Sequence, residues 1–141
     1  MTRKEFVAIM GAGASVLLLP TCLGTLSGCS GSEADSFPAP PTNVDFTIDV
    51  STGPLANNGG FLVQNGIIIG RTTTGSFIAV SSNCTHQGTI LQFVGSSNSF
   101  HCNNHGSNFD SNGSVTNGPA SKPLVVYSWT LVGTTLRVFT A

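Results

Sequence analysis

The chain has 141 residues, which is enough for one domain and a short appendage. Only 8% of the residues are charged and the net charge is −1, so the chain offers no basic face for a phosphate backbone. We therefore expect no binding to nucleic acid.

The amino-terminal residues are typical of an export signal. Arg3 and Lys4 precede a modestly apolar run, Val7 to Leu19, that contains Gly and Ala. Arg3-Lys4 followed by Phe6 resembles a twin-arginine signal in which lysine replaces the second arginine, a departure that leaves the export route open.

A lipidation site is predicted where this leader ends. Leu26-Ser27-Gly28-Cys29 resembles the sequence at which bacterial lipoproteins are cleaved and lipidated on the new amino-terminal cysteine. We predict an export signal over residues 1–28, lipidation on Cys29 and anchoring on the periplasmic or extracytoplasmic face of a membrane. The alternative is that residues 6–26, about the length of a bilayer crossing, stay on as a membrane helix.

Residues 29–43 are rich in Ser, Gly, acidic residues and Pro. Such a segment buries little apolar surface, and its prolines favour an extended backbone. We predict a flexible linker between the lipid anchor and a folded domain.

The folded domain is predicted over residues 44–141, as an all-β structure without a helical period. Residues 44–50 alternate apolar and polar side chains, as a half-buried strand does. Asn65-Gly66, between two apolar runs, predicts a hairpin. Together with Gly, Asn and Ser at the other boundaries, these runs predict an antiparallel β sandwich or open barrel with strands near 44–50, 61–63, 67–69, 76–80, 90–94, 99–101 and 135–139.

Two short motifs contain the candidate metal ligands. Cys84 and His86 are separated by one residue, Cys102 and His105 by two, and fifteen residues lie between the motifs. Thiolates and imidazoles suit zinc or an iron–sulfur cluster and disfavour calcium and magnesium. A structural zinc site usually groups like ligands in sequence, whereas each motif here supplies one Cys and one His.

These motifs resemble those of the Rieske [2Fe–2S] family. The order and spacing agree over Ser76 to Tyr127, including the residues Gly106-Ser107, Phe109-Asp110, Gly118-Pro119-Ala120 and Pro123-Leu124. The resemblance implies a small cluster-binding subdomain inserted in a larger β domain, with its two loops at one tip.

The same resemblance implies one [2Fe–2S] cluster and a role for each ligand. Cys84 and Cys102 would bind the inner iron, and His86 and His105 the outer one. Ser107 matches the serine that donates a hydrogen bond to a bridging sulfide.

Other positions depart from the high-potential members of the family. Phe109 stands where those members carry a tyrosine, and Thr89 and Asn104 stand where they have a disulfide between the loops. Because a hydrogen-bond donor and the disulfide are both missing, we expect a reduction potential below that of quinol-oxidising members.

The predicted function is one-electron transfer between redox partner proteins, by a carrier that is not an enzyme by itself. One alternative is a small subunit of a larger oxidoreductase, either arsenite-oxidase-like or quinol-oxidising. A cytoplasmic ferredoxin would lack the leader. An alternative of another class is a zinc-binding structural surface module. Structural roles, rather than roles in the site, are predicted for His101, Asp110, Tyr127 and Trp129.

Overall fold

The structure is a computed structural model that describes residues 37–141, so the predicted signal, Cys29 and the first part of the predicted linker lie outside the described residues. Within the described part the chain forms three antiparallel sheets, which confirms the predicted all-β class. The strands are β1 (Asp45–Asp49), β2 (Phe61–Gln64), β3 (Ile67–Arg71), β4 (Phe77–Ser81), β5 (Gln92–Val94), β6 (Ser99–His101), β7 (Asn108–Phe109), β8 (Val115–Asn117), β9 (Ser128–Val132) and β10 (Thr135–Phe139).

The first sheet joins the two ends of the domain in the order β1-β10-β9. In β1 the partly buried Phe46 and Ile48 alternate with exposed polar residues, as the sequence pattern predicted. Asp45 pairs with Phe139 and the register continues to Asp49 opposite Thr135. This sheet therefore ties the start of the domain to its last strand.

The second sheet, β2-β3-β4, lies between two hydrophobic cores. Ile67 and Ile69 of β3 pack into the core shared with the first sheet, whereas Ile68 points into the core under the candidate site. All three isoleucines are 0% exposed. A strand buried on both faces is expected to be a continuous apolar run, which explains why this segment does not alternate.

The third sheet, β5-β6-β7-β8, is inserted between β4 and β9 and carries the candidate site. Its β5-β6 hairpin matches the predicted pair of strands between the two motifs. Phe93 packs directly on the backbone of Gly70, where an added Cβ would lie 2.7 Å from the ring. The close contact between ring and backbone joins the inserted sheet to β3 and confirms a small inserted subdomain.

Residues 37–41 lie against the domain, although the sequence predicted a flexible linker there. The Tyr127 hydroxyl donates to the Pro41 carbonyl at 2.9 Å. The Pro41 ring covers Gly66, where an added Cβ would lie 2.9 Å from Pro41 Cγ. No helix among the described residues is long and apolar enough to cross a bilayer.

Tyr127 gives a test of this docking, because it is the chain's one tyrosine. Burial raises the pKa of Tyr127 above its usual value near 10. A raised pKa means that the stability contributed by the neutral phenol is present below pH 10 and is lost as the pH rises through the folded pKa. Absorbance at the phenolate band should show a higher titration midpoint in the folded protein than in denaturant. Equal midpoints would contradict the buried hydroxyl.

Candidate metal centre

The first predicted motif forms a tight turn. The Cys84 N–H donates to the Thr89 carbonyl and the Gly88 N–H donates to the Cys84 carbonyl, both at 2.8 Å. The Asn83 side chain also donates to the Gly88 carbonyl at 3.1 Å. These bonds hold the backbone on both sides of His86.

The second motif repeats the same pattern. The Cys102 N–H donates to the Ser107 carbonyl at 2.8 Å, and the Gly106 N–H donates to the Cys102 carbonyl at 3.0 Å. Gly106 and Gly88 each follow their cysteine by four residues, and their φ values are +79° and +72°. Each turn therefore uses a glycine where side-chain-bearing residues are strained.

The two cysteines lie side by side in the interior. Cys84 and Cys102 are each 1% exposed and both are free thiols. Burial raises the pKa of Cys84 and contact with the Cys102 thiol adds to the rise, while bonds from the His86 N–H and the Ser107 hydroxyl oppose it. The net rise in pKa keeps the Cys84 thiol protonated in the metal-free protein, so metal binding must displace its proton.

The two histidines lie side by side at the surface. The Nδ1 atoms of His86 and His105 are 3.2 Å apart, and the rings meet edge to face with centroids 4.9 Å apart. Two nitrogens bound to one tetrahedral metal at about 2.1 Å would lie about 3.4 Å apart. The imidazoles are therefore placed as two ligands of a shared metal.

Residues 118–123 connect the two turns. The Ala120 N–H donates to the Ser107 hydroxyl at 3.0 Å, and the Thr85 hydroxyl donates to the Lys122 carbonyl at 2.6 Å. Ser107 is fully buried. Because its oxygen accepts from Ala120, its own hydrogen is free to donate towards sulfur.

The donor set fits a two-metal cluster. Among residues 37–141, no group of three or more His, Cys, Asp and Glu side chains is placed to hold one metal ion. Like ligands instead meet in pairs, with the thiols inside and the imidazoles outside. An iron–sulfur centre in which one iron takes two thiolates and the other two imidazoles needs this division of ligands.

The remaining predicted side chains have structural partners. His101 Nδ1 lies 2.6 Å from the Asn108 side-chain oxygen, and Asp110 accepts from the N–H groups of Asn112 and Ser114. Trp129 packs edge to face on Phe77, with ring centroids 5.7 Å apart. These contacts agree with the structural roles predicted for His101, Asp110, Trp129 and, above, Tyr127.

The sequence reading overlooked Gly88 and the covering of the first turn. A signal was present, since Gly88 follows Cys84 at the spacing at which Gly106 follows Cys102. The contact of Phe37 with Gly88 had no such signal, because fifty residues separate them.

Comparison with known proteins identifies a family that this geometry fits. The family model for the Rieske [2Fe–2S] domain matches residues 43–129, more than half of the chain. The cytochrome b6-f complex iron-sulfur subunit of Synechococcus sp. (strain CC9605) is 37% identical over 60 residues, 43% of this chain and 33% of that protein. The corresponding subunit of Chlorobaculum thiosulfatiphilum is 31% identical over 64 residues, 45% of this chain and 35% of that protein. The chain thus spans about a third of the length of these curated relatives.

Solved structures show the same fold. The cyanobacterial plasma membrane Rieske protein PetC3 from Synechocystis PCC 6803 aligns with a TM-score of 0.50 and 26% identity, over 59% of this chain and 87% of that chain. The ferredoxin of carbazole 1,9a-dioxygenase from Nocardioides aromaticivorans IC177 aligns with a TM-score of 0.56 and 22% identity, over 72% of this chain and all of that chain. At that identity the second match supports the fold alone.

Ser107 can be tested through its two hydrogen bonds. Ser107→Ala leaves the Ala120 N–H without its acceptor and removes a hydroxyl that can donate to sulfur, so the loaded protein should be reduced at a lower potential. The free energy of unfolding should fall by about 1–3 kcal/mol. Potentiometric titration and denaturant unfolding measure the two effects. Ser121→Ala, an exposed change in the connecting segment, is the control, and an unchanged potential in Ser107→Ala would contradict the assignment.

Proposed function

This chain belongs to the Rieske [2Fe–2S] domain family of electron-transfer proteins, and we propose that it is a one-electron carrier tethered to the outer face of a membrane. The observation that supports this best is the pairing of two thiols in the interior and of two imidazoles at the surface. The proposed ligands are Cys84, His86, Cys102 and His105.

The thiols and imidazoles would have different duties in this carrier. Cys84 and Cys102, buried in the core under the tip, would hold the inner metal and shield it from water. His86 is half-buried and His105 is exposed, so a docked partner could contact the edges of these rings directly. A bound [2Fe–2S] centre accepts and returns one electron, at a potential that imidazole ligation raises from about −400 mV to between about −150 and +300 mV.

We expect the potential to lie below that of quinol-oxidising members. Phe109 is fully buried and has no hydroxyl to donate to a cysteine sulfur. Thr89 and Asn104 provide no disulfide between the turns. Ser107 remains as the proposed side-chain donor, which favours an intermediate value.

The proposed tether is a lipid on Cys29 followed by a linker that begins outside the described residues. A similar Rieske protein of Synechocystis is described as a plasma membrane protein, which supports a membrane location. The division into signal 1–28, linker 29–43 and domain 44–141 is part of this proposal, although residues 37–41 contact the domain.

A second candidate is a small subunit of a larger oxidoreductase. The relatives described above are named as subunits of cytochrome b6-f complexes, which favours this alternative. The partners of a free carrier and of a subunit are both redox proteins. A subunit would have one of these partners in the same stable complex.

The metal content tests the proposed function. The purified protein should be brown, contain about two irons and two inorganic sulfides per chain, and give an EPR signal when reduced. His105→Gln and Cys102→Ser should lose this signal. His101→Gln is the matched control and should keep it, because His101 pairs with Asn108 instead. Colourless protein with one zinc per chain would contradict the proposal and favour the zinc-binding surface module.

Membrane fractionation tests the tether. The detergent-phase domain should begin at Cys29 and carry added acyl mass, whereas Cys29→Ser should lack that mass because the acyl chain has no thiol to attach to. Cys22→Ser is the matched control from the same leader and should keep the added mass. A mature chain that begins at Met1 would contradict the lipoprotein and favour a retained helix. A large chain that co-elutes with the detergent-extracted protein would favour the subunit alternative.

A further inference from the structure

Residues 37–41 form a strap that is fixed to the domain at two places. At its end, Pro41 covers Gly66 and accepts a hydrogen bond from the Tyr127 hydroxyl. At its start, the half-buried Phe37 ring lies on the first ligand turn. An added Cβ at Gly88 would lie 2.8 Å from Phe37 Cδ1 and 3.2 Å from Cγ. Only a residue without a side chain allows so close a contact between ring and backbone.

The ring covers the glycine whose hydrogen bonds form the turn. The Gly88 N–H donates to the Cys84 carbonyl, and the Gly88 carbonyl accepts from the Asn83 side chain. An apolar ring over these groups limits competition from water, which strengthens both hydrogen bonds. Phe37 therefore acts on the backbone that fixes Cys84 and His86.

The second turn is held in another way. Among residues 37–141, no atom lies within 4 Å of an added Cβ at Gly106, so no described side chain covers this glycine as Phe37 covers Gly88. The Gly106 carbonyl accepts from the Asn117 side chain at 2.9 Å, and Ser107 accepts from Ala120. The two turns thus have the same backbone hydrogen bonds but different neighbours. The strap packs on the first turn, whereas Ala120 is hydrogen-bonded to the second.

Between its two attachments the strap spans a groove of about 350 Å³. Cys84 and Thr85 line the groove on the domain side, and Pro38 to Pro40 line it on the strap side. Because the strap is not packed along its whole length, its position depends on Phe37 and Pro41. Release of Phe37 would open this side of the first turn to solvent.

We propose that Phe37 is a positioning residue for the first ligand turn, so that the end of the linker helps to set the environment of the metal centre. This inference rests on the proposed function in assuming a cluster at that turn. The contact of Phe37 with Gly88 is itself independent of metal, which allows a readout that needs none.

Phe37→Ala in the full chain tests the proposal. Hydrogen exchange of the Gly88 amide should become about tenfold faster, because the ring no longer protects its bond to Cys84. In the loaded protein the cluster should be lost about fivefold faster on incubation with a chelator. The midpoint potential should rise, because water near the turn stabilises the added negative charge. Phe37→Tyr keeps the ring, so its Gly88 exchange rate, its rate of cluster loss and its midpoint potential should stay close to those of the wild type.

Two further variants separate positioning from general stability. Tyr127→Phe removes only the hydroxyl that holds Pro41, and should speed exchange at Gly88 to a smaller degree. Phe139→Ala removes a half-buried ring from β10, and should lower stability without changing Gly88 exchange or the potential. Equal Gly88 exchange in wild type and Phe37→Ala, or equal changes in Phe37→Ala and Phe139→Ala, would overturn the proposal. A wild-type protein without iron would overturn the proposed function, while the exchange comparison would still decide the role of Phe37.

Discussion

The candidate site depends on one arrangement, in which two thiols meet in the interior and two imidazoles meet at the surface. Cys84 and Cys102 are held by turns with the same pair of backbone hydrogen bonds, so each cysteine is fixed by its own N–H and carbonyl. A thiol placed this way is shielded from water, whereas the imidazole, two residues later in the first turn and three in the second, reaches the surface. The division between an inner sulfur pair and an outer nitrogen pair follows from the two turns.

The β2-β3-β4 sheet holds the subdomain that carries the ligand turns in place against the rest of the domain. Ile68 of β3 packs under the tip, while Ile67 and Ile69 pack on the opposite side against the first sheet. One strand therefore belongs to both cores, and movement of the inserted sheet would disturb the packing of the domain. Phe93 on Gly70 adds a second contact between the same two layers. Interiors packed at native density resist such shifts, because small displacements forfeit many contacts.

Local patterns in the sequence were sufficient for most of the strands and for the ligand motifs, whereas the short strands β7 and β8 were not predicted. Alternation predicted β1, the Asn65-Gly66 turn predicted the β2-β3 hairpin, and the spacing of Cys84 and Cys102 was recognisable from residue types alone. Residues 37–41 were expected to belong to a flexible linker, and their contacts with the domain were not foreseen, since proline-rich composition describes the free chain and not the surface that it meets. The docking of Phe37 depends on Gly88, and such long-range contacts leave no trace in local composition.

Because Thr89 and Asn104 cannot form a disulfide between the two turns, the turns are aligned by non-covalent contacts. The bond from Ala120 to Ser107 and the bond from Thr85 to Lys122 connect both turns to residues 118–123. A single hydrogen bond contributes about 0.5–1.5 kcal/mol, so two contribute somewhat less than the 2–4 kcal/mol typical of a disulfide. The Phe37 contact adds apolar cover to the first turn only. The two turns are thus aligned by several modest contacts, each of which can be weakened separately by substitution.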